Sequence, residues 1–177
     1  ILFIEDTPRY YSSILPVIYK ETLFHTKQLM DKSLNDTQRL LLMRGRPKIL
    51  LAKSYEAAEK YFKQYKNNIL GIISDIRFPK DGKLHHNAGI LFTKYVHSIE
   101  DTMPILLQSS EKEALALART ITPNVLNKKS STLFSDLREF IIDNLGFGDF
   151  VFKTQNGKEI SRAGNIDELV DLLGIIP

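Results

Sequence analysis

The sequence predicts an α/β domain built on a doubly wound parallel sheet, with helices on both faces. Three observations carry this. Short apolar runs rich in β-branched residues alternate with longer segments of helical periodicity, in the order βαβαβαβαβα. Several of the apolar runs stop abruptly on a polar or charged residue. Parallel strands are joined by right-handed crossovers, so those polar ends all fall on one edge of the sheet.

Ile1 to Glu5 reads as the first strand. Thr7 and Pro8 follow as a cap and a first-turn proline, and Tyr11, Ile14, Leu15 and Ile18 mark the apolar face of the helix they start. Pro16 sits inside that helix and is expected to kink it. The helical pattern continues through His25, Leu29 and Met30. Asn35-Asp36 reads as a fresh cap before Leu40, Leu41 and Met43, and Gly45 and Pro47 then stop the helix. Ile49 to Ala52 is the second strand. Ser54 caps a helix whose Tyr55, Ala58, Phe62 and Tyr65 share one face. The run from Ile69 to Ser74 forms the third strand and ends on Asp75. Gly89-Ile90 opens a helix carrying Thr93 and Val96. Pro104 to Gln108 is the fourth strand, Glu111 to Arg119 an alanine-rich helix, and Asn124 to Asn127 a short fifth strand. Ser130 or Ser131 is expected to cap the last main helix, which buries Leu133, Leu137, Phe140, Ile141 and Leu145.

Residues 146–177 have a different pattern. Phe150-Val151-Phe152 and Glu159-Ile160 flank Gln155-Asn156-Gly157, and an Asn-Gly pair between short apolar runs signals a hairpin. A short helix with Ile166, Leu169, Val170, Leu172 and Leu173 follows. This piece is too small to hold a core of its own. The chain therefore divides into a main domain over 1–145, with extra length within about 20–47, and a hairpin-helix appendage over 146–177.

Composition narrows the function. The chain has 177 residues, 43% of them hydrophobic, which suits one domain plus an appendage. A net charge of +3 is not by itself a nucleic-acid footprint, and no direct nucleic-acid contact is expected. The nearest basic cluster, Arg44-Gly45-Arg46-Pro47-Lys48, lacks interleaved aromatics and reads as a solvated connection. There is no cysteine, hence no disulfide framework and no thiol chemistry. No apolar stretch approaches the ~20 residues that span a bilayer, and no signal peptide is visible. The cytoplasm is the expected compartment, and no membrane contact is expected. Because the chain opens on Ile1, already within a strand, a few upstream residues are expected to be missing.

The chemistry lies at the strand ends. The first strand ends in Glu5-Asp6, the third in Asp75, the fourth in Ser109-Ser110 and the fifth in Lys128. Asp6 and Asp75 can hold a Mg²⁺, which prefers oxygen ligands and keeps several waters, and Glu5 can act through one of those waters. A metal there screens Asp75 against an incoming phosphoryl group, making Asp75 a nucleophile that forms an aspartyl-phosphate. Lys128 can pair with the phosphoryl oxygens as a point charge, and the Ser109 hydroxyl can donate a hydrogen bond to them. Taken singly, each residue is an ordinary turn former, cap or solvated charge. Their occurrence in order at the ends of strands one, three, four and five carries the argument.

These segments resemble the receiver domain of two-component response regulators. Ile1-Leu2-Phe3-Ile4-Glu5-Asp6-Thr7-Pro8 resembles its opening strand and acidic pair, and Ser74-Asp75-Ile76-Arg77-Phe78-Pro79 its phosphoacceptor motif. Pro104-Ile105-Leu106-Leu107-Gln108-Ser109-Ser110 resembles its fourth strand with the switch hydroxyl, and Val125-Leu126-Asn127-Lys128 its fifth strand with the lysine. The resemblance covers about residues 1–145. It implies a flavodoxin-like fold with strand order 2-1-3-4-5. It also implies Mg²⁺-dependent phosphotransfer to Asp75 from a histidine kinase or phosphotransfer protein, with the Arg77 backbone carbonyl as a further metal ligand. The domain is then a phosphoacceptor rather than an enzyme, and any enzymatic output belongs to another domain.

The departures from that pattern are specific. The stretch from Pro8 to Lys48 exceeds the family's first helix by about twenty residues, and Phe78 to Gly89 is longer by roughly six than the short loops usual in α/β units. The latter contains His85-His86, a pair suited to metal binding or pH sensing but read here as part of a solvated loop. Val125 stands where the family often has an aromatic switch residue. Lys129 replaces the proline that commonly follows the lysine, so no cis peptide is expected there.

The tail, with its Gly-Phe-Gly-Asp-Phe-Val-Phe run, is similar to that of receiver modules ahead of pyruvate-phosphate-dikinase-like (PEP/pyruvate-binding) domains. The output is therefore expected to be a partner surface, a second copy forming a homodimer, or a downstream output domain. The alternative is a receiver-shaped interaction module that does not depend on phosphate. A hydrolase using the same aspartate would need a second acid two residues on, where Arg77 stands.

Overall fold

Each apolar run becomes a strand because both its faces are covered, and each amphipathic segment a helix that covers one of them. The computed structural model describes residues 1–31, 36–37, 40, 47–147, 150–154, 159–163 and 166–175. In chain order the elements are β1 (Leu2–Ile4), α1 (Pro8–Asp31), β2 (Leu50–Ala52), α2 (Tyr55–Tyr65) and β3 (Ile72–Asp75). The short strands β4 (Phe78–Lys80) and β5 (Lys83–His85) follow, then α3 (Ala88–His97), β6 (Ile105–Ser109), α4 (Lys112–Ala118), β7 (Val125–Asn127) and α5 (Leu133–Asn144). The appendage consists of β8 (Phe150–Lys153), β9 (Glu159–Ala163) and α6 (Ile166–Ile175).

The main sheet is five-stranded, in the order β2-β1-β3-β6-β7. All neighbours are parallel. This is the doubly wound, flavodoxin-like arrangement, and the five strands that the sequence marks out stand in the order 2-1-3-4-5. Alternate side chains feed two cores. Leu2, Ile4, Ile72 and Leu107 pack with Phe62 of α2 and Phe92 of α3 on one face. Phe3, Ile73 and Leu106 pack with Ile14 and Ile18 of α1 and with Leu137 and Ile141 of α5 on the other. The period of two along each strand decides this partition.

α1 runs unbroken through Pro16. The carbonyl that loses its donor there belongs to Ser12, which is exposed and within reach of water, so the helix continues past the proline. Ser54 caps α2 as expected, accepting from the Ala57 N–H at 3.3 Å. The cap expected from Ser130 or Ser131 is not formed. α5 begins after Thr132, and the Ser130 hydroxyl instead accepts the Thr132 N–H at 3.2 Å, closing a turn before the helix. The Phe78–Gly89 stretch is an antiparallel hairpin rather than a plain loop. Its turn places Asp81 (φ 53°) and Gly82 (φ 72°) in the left-handed region, as a two-residue primed turn requires. No peptide bond among the described residues is cis, as Lys129 led us to expect at its own position.

β8 and β9 form the antiparallel hairpin of the appendage, with an irregularity between Phe152 and Lys153. The predicted Asn156-Gly157 turn lies outside the described residues. So do Asn35, Leu41, Met43 and the basic Arg44 to Arg46. Arg162 of β9 stands 3.8 Å from Asp143 of α5, and Ala163 is fully buried. Among the described residues, no helix is long and apolar enough to cross a membrane.

Candidate functional site

The sheet delivers its polar ends to one edge. Beyond β1, the Glu5 N–H bonds the Ala52 carbonyl at 3.0 Å, which extends the strand pairing and carries the Glu5 side chain into the interior. β3 ends on Asp75, and the next residue is still paired, its Ile76 N–H reaching the Gln108 carbonyl at 3.0 Å. The Lys128 N–H bonds the Ser109 carbonyl at 2.9 Å just past β7. Backbone pairing therefore fixes the origin of each functional side chain to within a residue.

Lys128 joins the two buried carboxylates. Its Nζ lies 2.6 Å from Glu5 Oε2 and 2.7 Å from Asp75 Oδ2, and its side chain is only 2% exposed. The Tyr10 ring lies against the same ammonium, 4.2 Å from Nζ to its centroid. Asp75 Oδ1 accepts the Ile76 N–H at 2.7 Å. Glu5 Oε1 accepts the Thr7 N–H at 3.1 Å, and Glu5 Oε2 accepts from Gln108 Nε2 at 3.3 Å. Asp6 is half-buried beside them and accepts the Thr7 hydroxyl at 3.3 Å. Ser109 is buried, and its hydroxyl oxygen accepts the Glu111 N–H at 3.1 Å. The Arg77 guanidinium turns outward to Glu111, 2.6 Å away.

Burial dominates the electrostatics. It pushes the Glu5 carboxyl up to about 7, reinforced by the Asp75 charge and opposed by Lys128. Burial also raises Asp75, with Lys128 again the main opposing influence. One oxygen from each of Glu5, Asp6 and Asp75 lies within 4.8 Å of the others. Three carboxylates against one ammonium leave an excess of two negative charges when all are ionised. Hard oxygen donors with that charge excess suit a small divalent cation. A cavity of about 200 Å³ opens over the group, with Asp6, Asp75, Ser109 and Lys128 in its wall.

All the residues that the sequence points to thus lie around one cavity, except Glu5, which sits beneath it. His85 and His86 remain apart. His85 Nδ1 accepts the Asn87 N–H at 3.2 Å, and neither histidine belongs to a metal-ligating group among the described residues. Val125 is half-buried and packs on the core face that contains Phe62 and Phe92.

Three contributors escaped the sequence reading. Gln108 orients Glu5, and its own Oε1 is buried with no hydrogen-bond partner among the described residues. Its signal was a polar residue closing the apolar run of strand four. Tyr10 flanks Lys128 and has no sequence signal of its own. Gly89 opens α3 against the back of the site. A Cβ there would overlap the Asp75 carbonyl oxygen and stand 2.9 Å from the Ile76 Cα, and the Gly89 N–H bonds the Ile76 carbonyl at 2.9 Å.

Among solved structures, the chain is similar to a response regulator receiver domain protein from Clostridium thermocellum. The two are 19% identical, with 79% of this chain and 88% of that chain covered and a TM-score of 0.52. A second similar structure is the Mn(2+)-bound form of response regulator Rcp1, 15% identical, with 79% of this chain and 89% of that chain covered and a TM-score of 0.44. No family model and no curated protein matches the sequence. The fold is that of a response-regulator receiver domain.

Proposed function

We propose that residues 1–145 form a phosphorylation switch of the two-component type, with 146–177 as an extension. Asp75 is the phosphoacceptor. One observation supports this above the others: Lys128 contacts Asp75 and Glu5 together, beside Asp6, under an open cavity at the carboxyl edge of the sheet. Glu5, Asp6, Asp75 and the Arg77 carbonyl would hold Mg²⁺, which supplies charge neutralisation for an incoming phosphoryl group.

In the transfer, an Asp75 carboxylate oxygen forms a bond to phosphorus as the bond from phosphorus to a donor histidine nitrogen breaks. The imidazole leaves with its electron pair and takes a proton. Lys128 pairs with the phosphoryl oxygens. Ser109 donates its hydroxyl proton to one of them. The donor is the phosphohistidine of a kinase or phosphotransfer protein, and the output is a change in a surface read by a partner, a second copy or a downstream domain.

The test is intact mass after incubation with acetyl phosphate and Mg²⁺, for the wild type and Asp75→Asn in parallel. The expected result is a gain of one phosphoryl group that requires Mg²⁺ and is absent from the variant. No gain, with Mg²⁺ still bound, favours a phosphate-independent interaction module, a reading that Val125 in place of an aromatic switch residue also supports.

A further inference from the structure

The cavity over Asp75 is walled almost wholly by polar side chains. Among the described residues its one aliphatic lining residue is Leu84, from β5 of the hairpin, and this side chain is 52% exposed. Isolated surface leucines are common and mean nothing by themselves. Leu84 differs because a rigid element presents it to the site. Phe78 anchors the base of the hairpin and is fully buried in the core. The tip is tied to α2, where the Asp81 N–H donates to Glu56 Oε1 at 2.7 Å, and Lys80 Nζ lies 5.2 Å from the Tyr55 ring centroid. Asp81 and Gly82 both have positive φ, the conformation of a type I′ hairpin turn. Leu84 pairs across the ladder with Pro79, so its direction is set by the strand pleat.

We infer that Leu84 shields a phosphoryl group on Asp75 from water and thereby sets how long that group survives. This rests on the phosphoacceptor reading of Asp75. In hydrolysis, a water oxygen forms a bond to phosphorus while the bond from phosphorus to the Asp75 oxygen breaks. Asp75 leaves as a carboxylate, and the protons of the water pass to the released phosphate and to solvent. The attacking water must enter from the cavity, on the side of phosphorus away from Asp75. A leucine there can neither donate to nor accept from that water, so it cannot orient it. It also takes up room in a cavity of about 200 Å³, where a water's share of volume is ~30 Å³. Excluding water from a reactive intermediate is a recognised use of such side chains.

The experiment compares the wild type, Leu84→Ala, Leu84→Phe and Lys83→Ala. Lys83 is an exposed neighbour outside the cavity wall. Each protein is phosphorylated with acetyl phosphate and Mg²⁺, the donor is removed, and loss of the phosphoryl mass is followed with time. Mg²⁺ affinity of the unphosphorylated proteins is measured in parallel by calorimetry. Leu84→Ala is expected to shorten the half-life roughly tenfold, equivalent to about 1.4 kcal/mol off the hydrolysis barrier. Leu84→Phe lengthens the half-life, Lys83→Ala leaves it unchanged, and Mg²⁺ affinity is the same throughout. Wild-type decay in both Leu84 variants overturns the inference and leaves the phosphoacceptor reading standing. Equal acceleration by Lys83→Ala also overturns it, because the effect then belongs to the hairpin as a whole. A wild type that takes up no phosphoryl group removes the phosphoacceptor reading, and the inference with it.

Discussion

Replacing Lys128 with methionine keeps the approximate volume of the side chain and removes the one cation shared by Glu5 and Asp75. The two carboxylates offer oxygens within 4.8 Å of each other. At an effective dielectric of about 20, that separation corresponds to a repulsion of ~3.5 kcal/mol or more. Lys128 now offsets it through contacts of 2.6 and 2.7 Å. Breaking a buried pair by deleting one partner typically costs roughly 3–5 kcal/mol, because the other charge is left unpaired. Both routes give the same size of effect. Urea denaturation in the absence of divalent ions should therefore show Lys128→Met less stable by about 3–5 kcal/mol at pH 8. Lys128 also holds the Glu5 carboxyl down, so in the variant Glu5 takes up its proton at a higher pH than in the wild type. By pH 5.5 it is protonated, one negative charge is gone, and the cost should fall by more than half. Adding Glu5→Gln to Lys128→Met should recover most of the loss at pH 8, which is the coupling a double-mutant cycle reads. A cost equal at both pH values and not relieved by Glu5→Gln would refute the reasoning. It would mean that Lys128 stabilises by packing against Tyr10 rather than by charge.

Three further outcomes follow from the same geometry. Glu5 titrates at about 7 in the folded protein against an ordinary 4.5, so the folded state binds more protons than the unfolded state in that window. This contribution to stability is complete below the lower value and is lost as pH rises towards the upper one. Thermal melts in EDTA should show the wild type losing ground to Glu5→Gln as pH rises through the window. Millimolar Mg²⁺ should raise the melting temperature more at pH 8 than at pH 6, and a shift independent of pH would count against Glu5 as a ligand. Gly89→Ala forces a methyl group onto the Asp75 carbonyl, with backbone rather than a yielding side chain opposite it. It should destabilise by about 1–3 kcal/mol in urea denaturation and weaken Mg²⁺ binding by calorimetry, as overpacking against backbone does. Unchanged affinity would show that α3 yields and that Asp75 does not.

What was legible follows from sheet physics. Parallel strands buried on both faces are continuous apolar runs, and their ends stand out as the first polar residue, so Glu5, Asp75, Ser109 and Lys128 could be placed from sequence. The hairpin was not legible as such, because Phe78-Pro79-Lys80 is a short run interrupted by proline, and proline demotes a strand reading. Asp81-Gly82 was the available signal. Gln108 and Gly89 were illegible for another reason. Gln108 acts on a residue 103 positions away, and Gly89 matters only because α3 docks onto the Asp75 backbone. The cap of α5 was misassigned because three hydroxyls stand in a row from Ser130 to Thr132. Which of them precedes the helix is decided by the turn that Ser130 closes.

On the proposed phosphoacceptor reading, Lys128 and Ser109 would meet a phosphoryl group in different ways. Lys128 is committed, since both its acidic partners bind it before any ligand arrives. A phosphoryl group on Asp75 would form a mixed anhydride at one oxygen, cancel the carboxylate charge, and bring in a larger negative charge a bond length further out. Lys128 must then turn from Asp75 towards that group while still held by Glu5, and the Glu5 contact limits how far it can go. Ser109 is not committed in this way. Its oxygen accepts from the Glu111 N–H, which leaves its own hydroxyl proton to donate without breaking the turn that leads into α4. On the proposed reading, a displacement of Ser109 would be felt by Glu111, whose N–H it accepts, and by the exposed Arg77 paired with Glu111. That linkage joins the two loops that frame the site. On the proposed reading it would offer a route to the surface that does not pass through Val125.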